Sequence, residues 1–143
     1  MRSFPTRYTG IDTNVLLRYL LRDDAAQYAV ASNELEQLNQ DHAGFVTQVT
    51  LAEIYWVISR SKKLTRTECL TVMRHIIETG SFEFDDSESV GRALSLAEDG
   101  ADFADALIQG TMELFGIDRT VTFDQGAARH LGWELLPAEV SAS

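Results

Sequence analysis

The sequence is poor in the residues that bind soft metals. Cys69 is its only cysteine among 143 residues, which excludes an internal disulfide and a thiolate metal cluster. The three histidines, His42, His75 and His130, fall in different predicted elements, so nothing indicates a histidine metal site. The first glycine-containing strand turn does not match a phosphate-binding loop, and nothing suggests a Ser-His-Asp arrangement with a recognisable nucleophile. Any chemistry is therefore expected to come from other side chains.

Long apolar segments are also missing. No apolar run approaches the ~18 residues that a membrane-spanning helix needs. Residues 1–9 contain no apolar stretch of signal-peptide length. We therefore expect a cytoplasmic protein without a membrane partner.

Basic residues are few: 12 Lys and Arg stand against 22 Asp and Glu, which gives a formal charge of −10. This balance argues against a general nucleic-acid coat protein, which needs a basic surface. It does not exclude a nuclease, because bound cations reverse the sign of a cluster of acids. The acidity also suits a protein that meets a basic partner.

The chain is expected to form one domain over residues 1–136, followed by a flexible tail at 137–143. Its hydrophobic content of 45% is enough for a core. Short apolar runs predict strands over 8–11, 44–47, 82–84, 120–123 and 133–136. Apolar periodicity and caps predict helices over 15–21, 23–40, 49–59, 65–78, 88–98, 103–115 and 125–130. This alternation indicates an α/β fold with a mainly parallel sheet.

Two aspartates directly follow predicted strands. Asp12 comes after the first strand, and Asp124 ends the run that contains the fourth. Ligands of parallel sheets bind outside the carboxyl ends of the strands, where both residues are expected. A helix cap or a turn is the alternative for each, and a cap is compatible with a ligand role. Thr122 lies on the same side of its strand as Asp124 and is a candidate support.

Glu53 is the only charged residue in the apolar segment 49–58. A helix that is apolar on nearly all sides is expected to be buried. An ionised carboxylate there costs several kcal/mol unless it is compensated. Exposure on a narrow stripe is the alternative.

Asp102 and Asp105 lie three residues apart at the start of a predicted helix, a spacing that puts both carboxylates on one face. Asp102 also fits a helix N-cap, and the helix dipole favours an acid at position 105. Asp105 borders the apolar stripe of the helix, where a cleft is expected to begin.

Charged groups are rarely buried unless they are paired or bind a metal, and basic residues are scarce beside these acids. Two carboxylates ~5 Å apart repel by roughly 3 kcal/mol at an effective dielectric constant of about 20. Oxygen ligands without cysteine suit a hard cation, Mg²⁺ or Mn²⁺. The acids together therefore indicate metal-assisted hydrolysis.

Four segments, in order, give the chain a resemblance to the PIN-domain ribonucleases, and most closely to the VapC-type toxins of bacterial toxin–antitoxin pairs. The segments are residues 12–20, 51–54 with Trp56, 102–108 and 122–124. The resemblance extends over nearly the whole chain. Its first and third segments are fairly specific.

The resemblance implies an α/β/α sandwich on a parallel sheet and a Mg²⁺-dependent endoribonuclease. It implies that Asp12 is the primary metal ligand, that Glu53 and Asp105 complete the acidic cluster, and that Asp124 is a more variable fourth acid. Asn14 and Thr122 are implied as polar supports, and Asp102 as a possible further ligand. It also implies a homodimer that a cognate antitoxin protein inhibits near the active site.

Basic side chains are candidates for RNA contact at two places. Arg60, Lys62 and Lys63 belong to the main basic cluster, whose alternative interpretation is a solvated loop. Arg18 lies on the first predicted helix. Its alternative to RNA contact is an ion pair with Asp23 or Asp24.

Two rival functions remain open from the sequence. A haloacid-dehalogenase-like phosphatase also has an aspartate after its first strand, but it needs a second one two residues later, where this chain has Asn14. A non-catalytic RNA- or protein-binding module is the other rival. The set of four acids weighs against it, since pure binding gives no reason to keep them together.

Overall fold

The computed structural model describes residues 4–61 and 63–140. These residues divide between Ser87 and Glu88 into two compact units. Each unit contains its own parallel sheet. The single domain over 1–136 stays a prediction, and so does the flexible tail, of which residues 141–143 lie outside the described part.

The first unit alternates strands with helices. Its three strands pair in parallel in the order β1-β2-β3. The elements are β1 (Arg7–Gly10), α1 (Thr13–Leu21), α2 (Ala25–Glu36), β2 (His42–Val46), α3 (Gln48–Ser59), α4 (Arg66–Ile77) and β3 (Phe82–Phe84). At Gly44 of the central strand, an added Cβ would lie 2.8 Å from the side chain of Leu38 and 3.0 Å from that of Phe82, so these side chains would have to shift.

Polar caps fix where the helices of the first unit begin. Asp12, Asp24 and Thr47 each accept a hydrogen bond from a backbone N–H in the first turn of the following helix. Thr65 and Glu68 form a reciprocal capping box at the start of α4. The strand-to-helix junctions therefore lie close to their predicted positions.

The core of the first unit contains large apolar side chains that are almost fully buried. Among them are Leu16, Val46, Leu51, Ile54, Ile58 and Met73. Helix α3 packs against both α1 and α4, so it holds two neighbouring helices together.

The second unit begins with α5 (Ser87–Glu98) at the boundary. It continues with α6 (Phe103–Leu114), β4 (Val121–Thr122), α7 (Gln125–Leu131) and β5 (Glu134–Leu135). Strands β4 and β5 pair in parallel. Both are shorter than predicted, and Val121 and Leu135 are 43% and 46% exposed, so little burial supports a longer pairing.

The predicted α/β fold with parallel strands is confirmed. One helix was predicted too long: α2 ends at Glu36 rather than near residue 40. The reason is local, since the Asn39 side chain accepts hydrogen bonds from the backbone N–H groups of Asp41 and His42 and turns the chain into β2. Across the described ranges, no helix has the length and apolar character to span a bilayer.

Candidate functional site

Asp12 lies between β1 and α1 in the first unit. Its Oδ2 accepts a hydrogen bond of 3.3 Å from the backbone N–H of Asn14, so it caps α1. The side chain is exposed. The cap involves one carboxylate oxygen, which leaves the other for a ligand. No described interaction involves the amide side chain of Asn14, whose supporting role stays a prediction.

Glu53 is anchored to the start of α1. The hydroxyl of Thr13 donates a hydrogen bond of 3.2 Å to its Oε1. Thr13 is only 8% exposed and directly follows Asp12. The contact between α1 and α3 therefore brings the carboxylate of Glu53 to the helix start that Asp12 caps.

The expected burial of Glu53 is wrong, because its side chain is exposed. The apolar segment around it does not bury all of its members: Val49 is 68% and Trp56 57% exposed. These residues and Glu53 share one outward face of α3. Glu53 is therefore not a buried carboxylate that needs a compensating metal.

Asp102 and Asp105 lie at the start of α6 in the second unit. Asp102 is the N-cap, and its Oδ2 accepts from the backbone N–H of Asp105 at 3.0 Å. The cap interpretation of Asp102 is thus confirmed. Asp105 lies in the first helical turn, and its side chain is half-buried.

Asp124 caps α7, where its Oδ1 accepts a hydrogen bond of 2.8 Å from the backbone N–H of Ala127. The hydroxyl of Thr122 accepts from the backbone N–H of Asp124 at 2.9 Å. Thr122 therefore holds the backbone of Asp124 rather than its carboxylate. A supporting role of Thr122 at a site stays a prediction.

The acids of the second unit influence one another electrostatically. The pKa of Asp105 is raised above its ordinary value, first by burial and then by the negative charges of Asp102 and Asp124. Helix α6 contacts α7, which explains how Asp124 comes within electrostatic reach of Asp105. The structure thus places both Asp102 and Asp124 within electrostatic reach of Asp105, a relation that sequence spacing shows only for Asp102.

The carboxylate oxygens of the candidate residues suit a divalent cation, but the side chains are not grouped as a complete set of metal ligands. Among residues 4–61 and 63–140, no three His, Cys, Asp or Glu side chains are grouped closely enough to hold a metal ion. The candidate set is made of carboxylate oxygens alone, the ligand type that Mg²⁺ and Mn²⁺ prefer.

The basic candidates differ in their partners. Arg18 is already paired: its Nη1 donates to both carboxylate oxygens of Asp23, at 3.1 and 3.2 Å. Arg60 lies over the indole ring of Trp56, with its guanidinium carbon 4.1 Å from the ring centroid. Lys63 is exposed, and Lys62 lies outside the described residues. Contact of these side chains with RNA stays a prediction.

Thr13 is the residue that the sequence reasoning missed. Its only sequence signal is its place between Asp12 and Asn14 at a helix start. That place does not show that its hydroxyl reaches Glu53, 40 residues further along the chain. Only the packing of α1 on α3 provides this contact.

In this α/β chain, two parallel strands lead into helices that begin at aspartate caps, Asp12 and Asp124. The chain belongs to the PIN domain family, whose sequence pattern matches residues 11–131. PIN domains are usually nucleases, act on nucleic acids and generally use divalent metal ions. The matched range includes every candidate acid. Membership in the PIN family argues against the haloacid-dehalogenase-like phosphatase. Among curated proteins and among solved structures, no significant match was found.

Proposed function

We propose that the protein is a Mg²⁺-dependent endoribonuclease and the toxin of a toxin–antitoxin pair. The observation that carries the proposal is the position of Asp105 in a chain of the PIN family: its carboxylate is half-buried, and its charge is opposed first by that burial and then by Asp102 and Asp124. A carboxylate whose charged form is opposed by its surroundings is a candidate for a functional site. A divalent cation removes that opposition.

The proposed metal ligands and catalytic acids are Asp12, Glu53, Asp105 and Asp124, with Asp102 as a further ligand. A divalent cation held by these residues would supply charge neutralisation at the phosphate and would make a water more acidic. The protein's own contribution is to orient the carboxylates. Helix caps hold the carboxylates of Asp12 and Asp124 through one oxygen each, and the hydroxyl of Thr13 holds that of Glu53.

RNA as the substrate, a homodimer and an antitoxin partner are supported by the resemblance to VapC-type toxins. Arg60, Lys62, Lys63 and Arg18 are the proposed phosphate contacts. The net charge of −10 favours an antitoxin with a basic binding segment. Mn²⁺ is proposed as a substitute for Mg²⁺, because both accept carboxylate oxygen ligands.

The first prediction concerns metal dependence. The purified protein, freed of any partner, is expected to cleave single-stranded RNA in Mg²⁺ or Mn²⁺ and to fall to background in EDTA. Without a cation, the negative charges of the acids repel the phosphate of the RNA. The measurement is gel analysis of a labelled RNA panel, with EDTA reversed by excess metal as the control. Absence of cleavage with either metal leaves the non-catalytic binding module as the better account.

The second prediction concerns stability. Millimolar Mg²⁺ or Mn²⁺ is expected to raise the melting temperature by a few degrees, since a ligand of the folded state alone stabilises it. Differential scanning fluorimetry measures the shift, with matched ionic strength in NaCl as the control. An equal shift in Asp12→Asn, or none in the wild type, contradicts a metal site that includes Asp12.

A further inference from the structure

One face of α3 is exposed along its full length. Val49, Glu53, Trp56 and Arg60 follow one another at intervals of four, three and four residues, which places them on one side of the helix. All four side chains are exposed, while the opposite side of the helix is buried. An aromatic ring therefore stands in solvent one helical turn from Glu53, a proposed catalytic acid.

The Trp56 ring is held in place and still accessible. The guanidinium of Arg60 lies 4.1 Å from its centroid, a cation–π contact that favours one orientation of the ring. Trp56 nevertheless remains 57% exposed. The stack therefore leaves a large part of the indole open to a flat ligand.

Arg60 differs from the ion-paired arginines of the described chain. Arg18, Arg74, Arg92 and Arg119 each form an ion pair with a carboxylate. For Arg60, the described residues provide an aromatic partner and no carboxylate within ion-pair distance. Its positive charge, and that of exposed Lys63 three residues further on, is thus available to an anion in a chain of net charge −10.

We propose that Trp56 is a stacking platform for an unpaired base of single-stranded RNA, with Arg60 and Lys63 contacting the adjoining phosphates. An aromatic face beside cations is the combination by which proteins bind single strands. The inference rests on the proposed function, because it takes RNA as the ligand. It adds a binding residue that is not one of the acids.

A second copy of the chain is the competing occupant of this face. Two features favour RNA. Glu53, a proposed catalytic acid, shares the face and has to remain open to substrate. The exposed ring of Trp56 also lies beside the cations of Arg60 and Lys63, which suits a base with its adjoining phosphates.

The test measures binding without cleavage. Trp133→Phe leaves Trp56 as the only tryptophan, since the chain has two. Short single-stranded oligoadenylate is titrated in EDTA, and tryptophan fluorescence and anisotropy are recorded. Binding is expected to quench Trp56, because a stacked base deactivates the indole. In the Trp133→Phe background, Trp56→Leu is expected to weaken binding by about 10-fold or more, and Trp56→Phe by less.

Two further variants sharpen the test. Val49→Ala removes an exposed apolar side chain from the same face and is expected to leave the affinity unchanged. Arg60→Gln is expected to lower the affinity and reduce the slope of log K against log salt by about one. Circular dichroism verifies the fold of every variant.

Binding that is as tight in Trp56→Leu as in its parent overturns the inference. So does a loss of self-association in Trp56→Leu without a change in RNA affinity, which identifies the face as an interface between copies. The outcomes for the proposed function are separate. If binding depends on Trp56 but no RNA is cleaved in Mg²⁺ or Mn²⁺, the nuclease function is refuted and the stacking platform is retained. If RNA is cleaved but binding does not depend on Trp56, the nuclease function is retained and the stacking platform is refuted.

Discussion

Replacing Asp12 with asparagine is expected to lower RNA cleavage by at least about 100-fold while the fold stays intact. Changes in groups that only support metal ligands already reduce activity or metal affinity by about 10- to 100-fold, and a direct ligand should matter more. Asparagine is as good an N-cap as aspartate, so the cap on α1 is kept and only the charge is lost. Single-turnover cleavage in Mg²⁺ measures the effect.

Asp24→Asn is the matched control. Asp24 caps α2 of the same unit in the same way, by accepting a hydrogen bond of 3.0 Å from the backbone N–H of Gln27. It is not among the proposed ligands, so the same substitution should leave cleavage within about two-fold of wild type. If both variants lose activity equally, or if Asp12→Asn melts well below Asp24→Asn, Asp12 acts through stability and not through chemistry.

The positions of the helices and strands could be predicted because their signals are local. Asp12, Asp24 and Asp124 stand at helix starts, where a short acidic side chain satisfies unpaired backbone N–H groups. Short apolar runs between such caps and Gly-containing turns then indicate strands. These signals can be recognised without knowledge of the tertiary packing.

The surroundings of the acids could not be predicted in the same way. Burial of Glu53 was inferred from the number of apolar neighbours in sequence, but a helix that packs on α1 and α4 still has an outward face. The closeness of Asp105 and Asp124 depends on contact between α6 and α7. Both features follow from tertiary packing, which periodicity does not specify.

Asp105→Asn is expected to change activity and stability in opposite directions. Cleavage should fall by at least about 100-fold, since a proposed ligand is lost. In EDTA at neutral pH the melting temperature should rise by a few degrees at most, because the charge opposed by burial, Asp102 and Asp124 is removed. A residue that serves only structure has no reason to show this combination.

The gain in stability should depend on pH with a defined sign. The pKa of Asp105 in the folded state lies above its ordinary value of 3.8. Below that value the carboxyl is protonated in both states, and the charge has no effect. As pH rises through the window up to the folded-state pKa, the unfolded chain releases the proton first, and wild-type stability falls. The advantage of Asp105→Asn is thus absent in acid, grows through the window and is constant above it.

Urea unfolding at a series of pH values in EDTA measures this curve, with Asp118→Asn as the control. Asp118 is an exposed aspartate of the same unit and is not among the proposed ligands. Its substitution should give neither the pH-dependent gain nor the loss of cleavage. Repeating the series in Mn²⁺ should remove or reverse the advantage of Asp105→Asn, because only the wild type then gains from the cation. An advantage that is unaffected by Mn²⁺ means that burial and repulsion at Asp105 serve no metal.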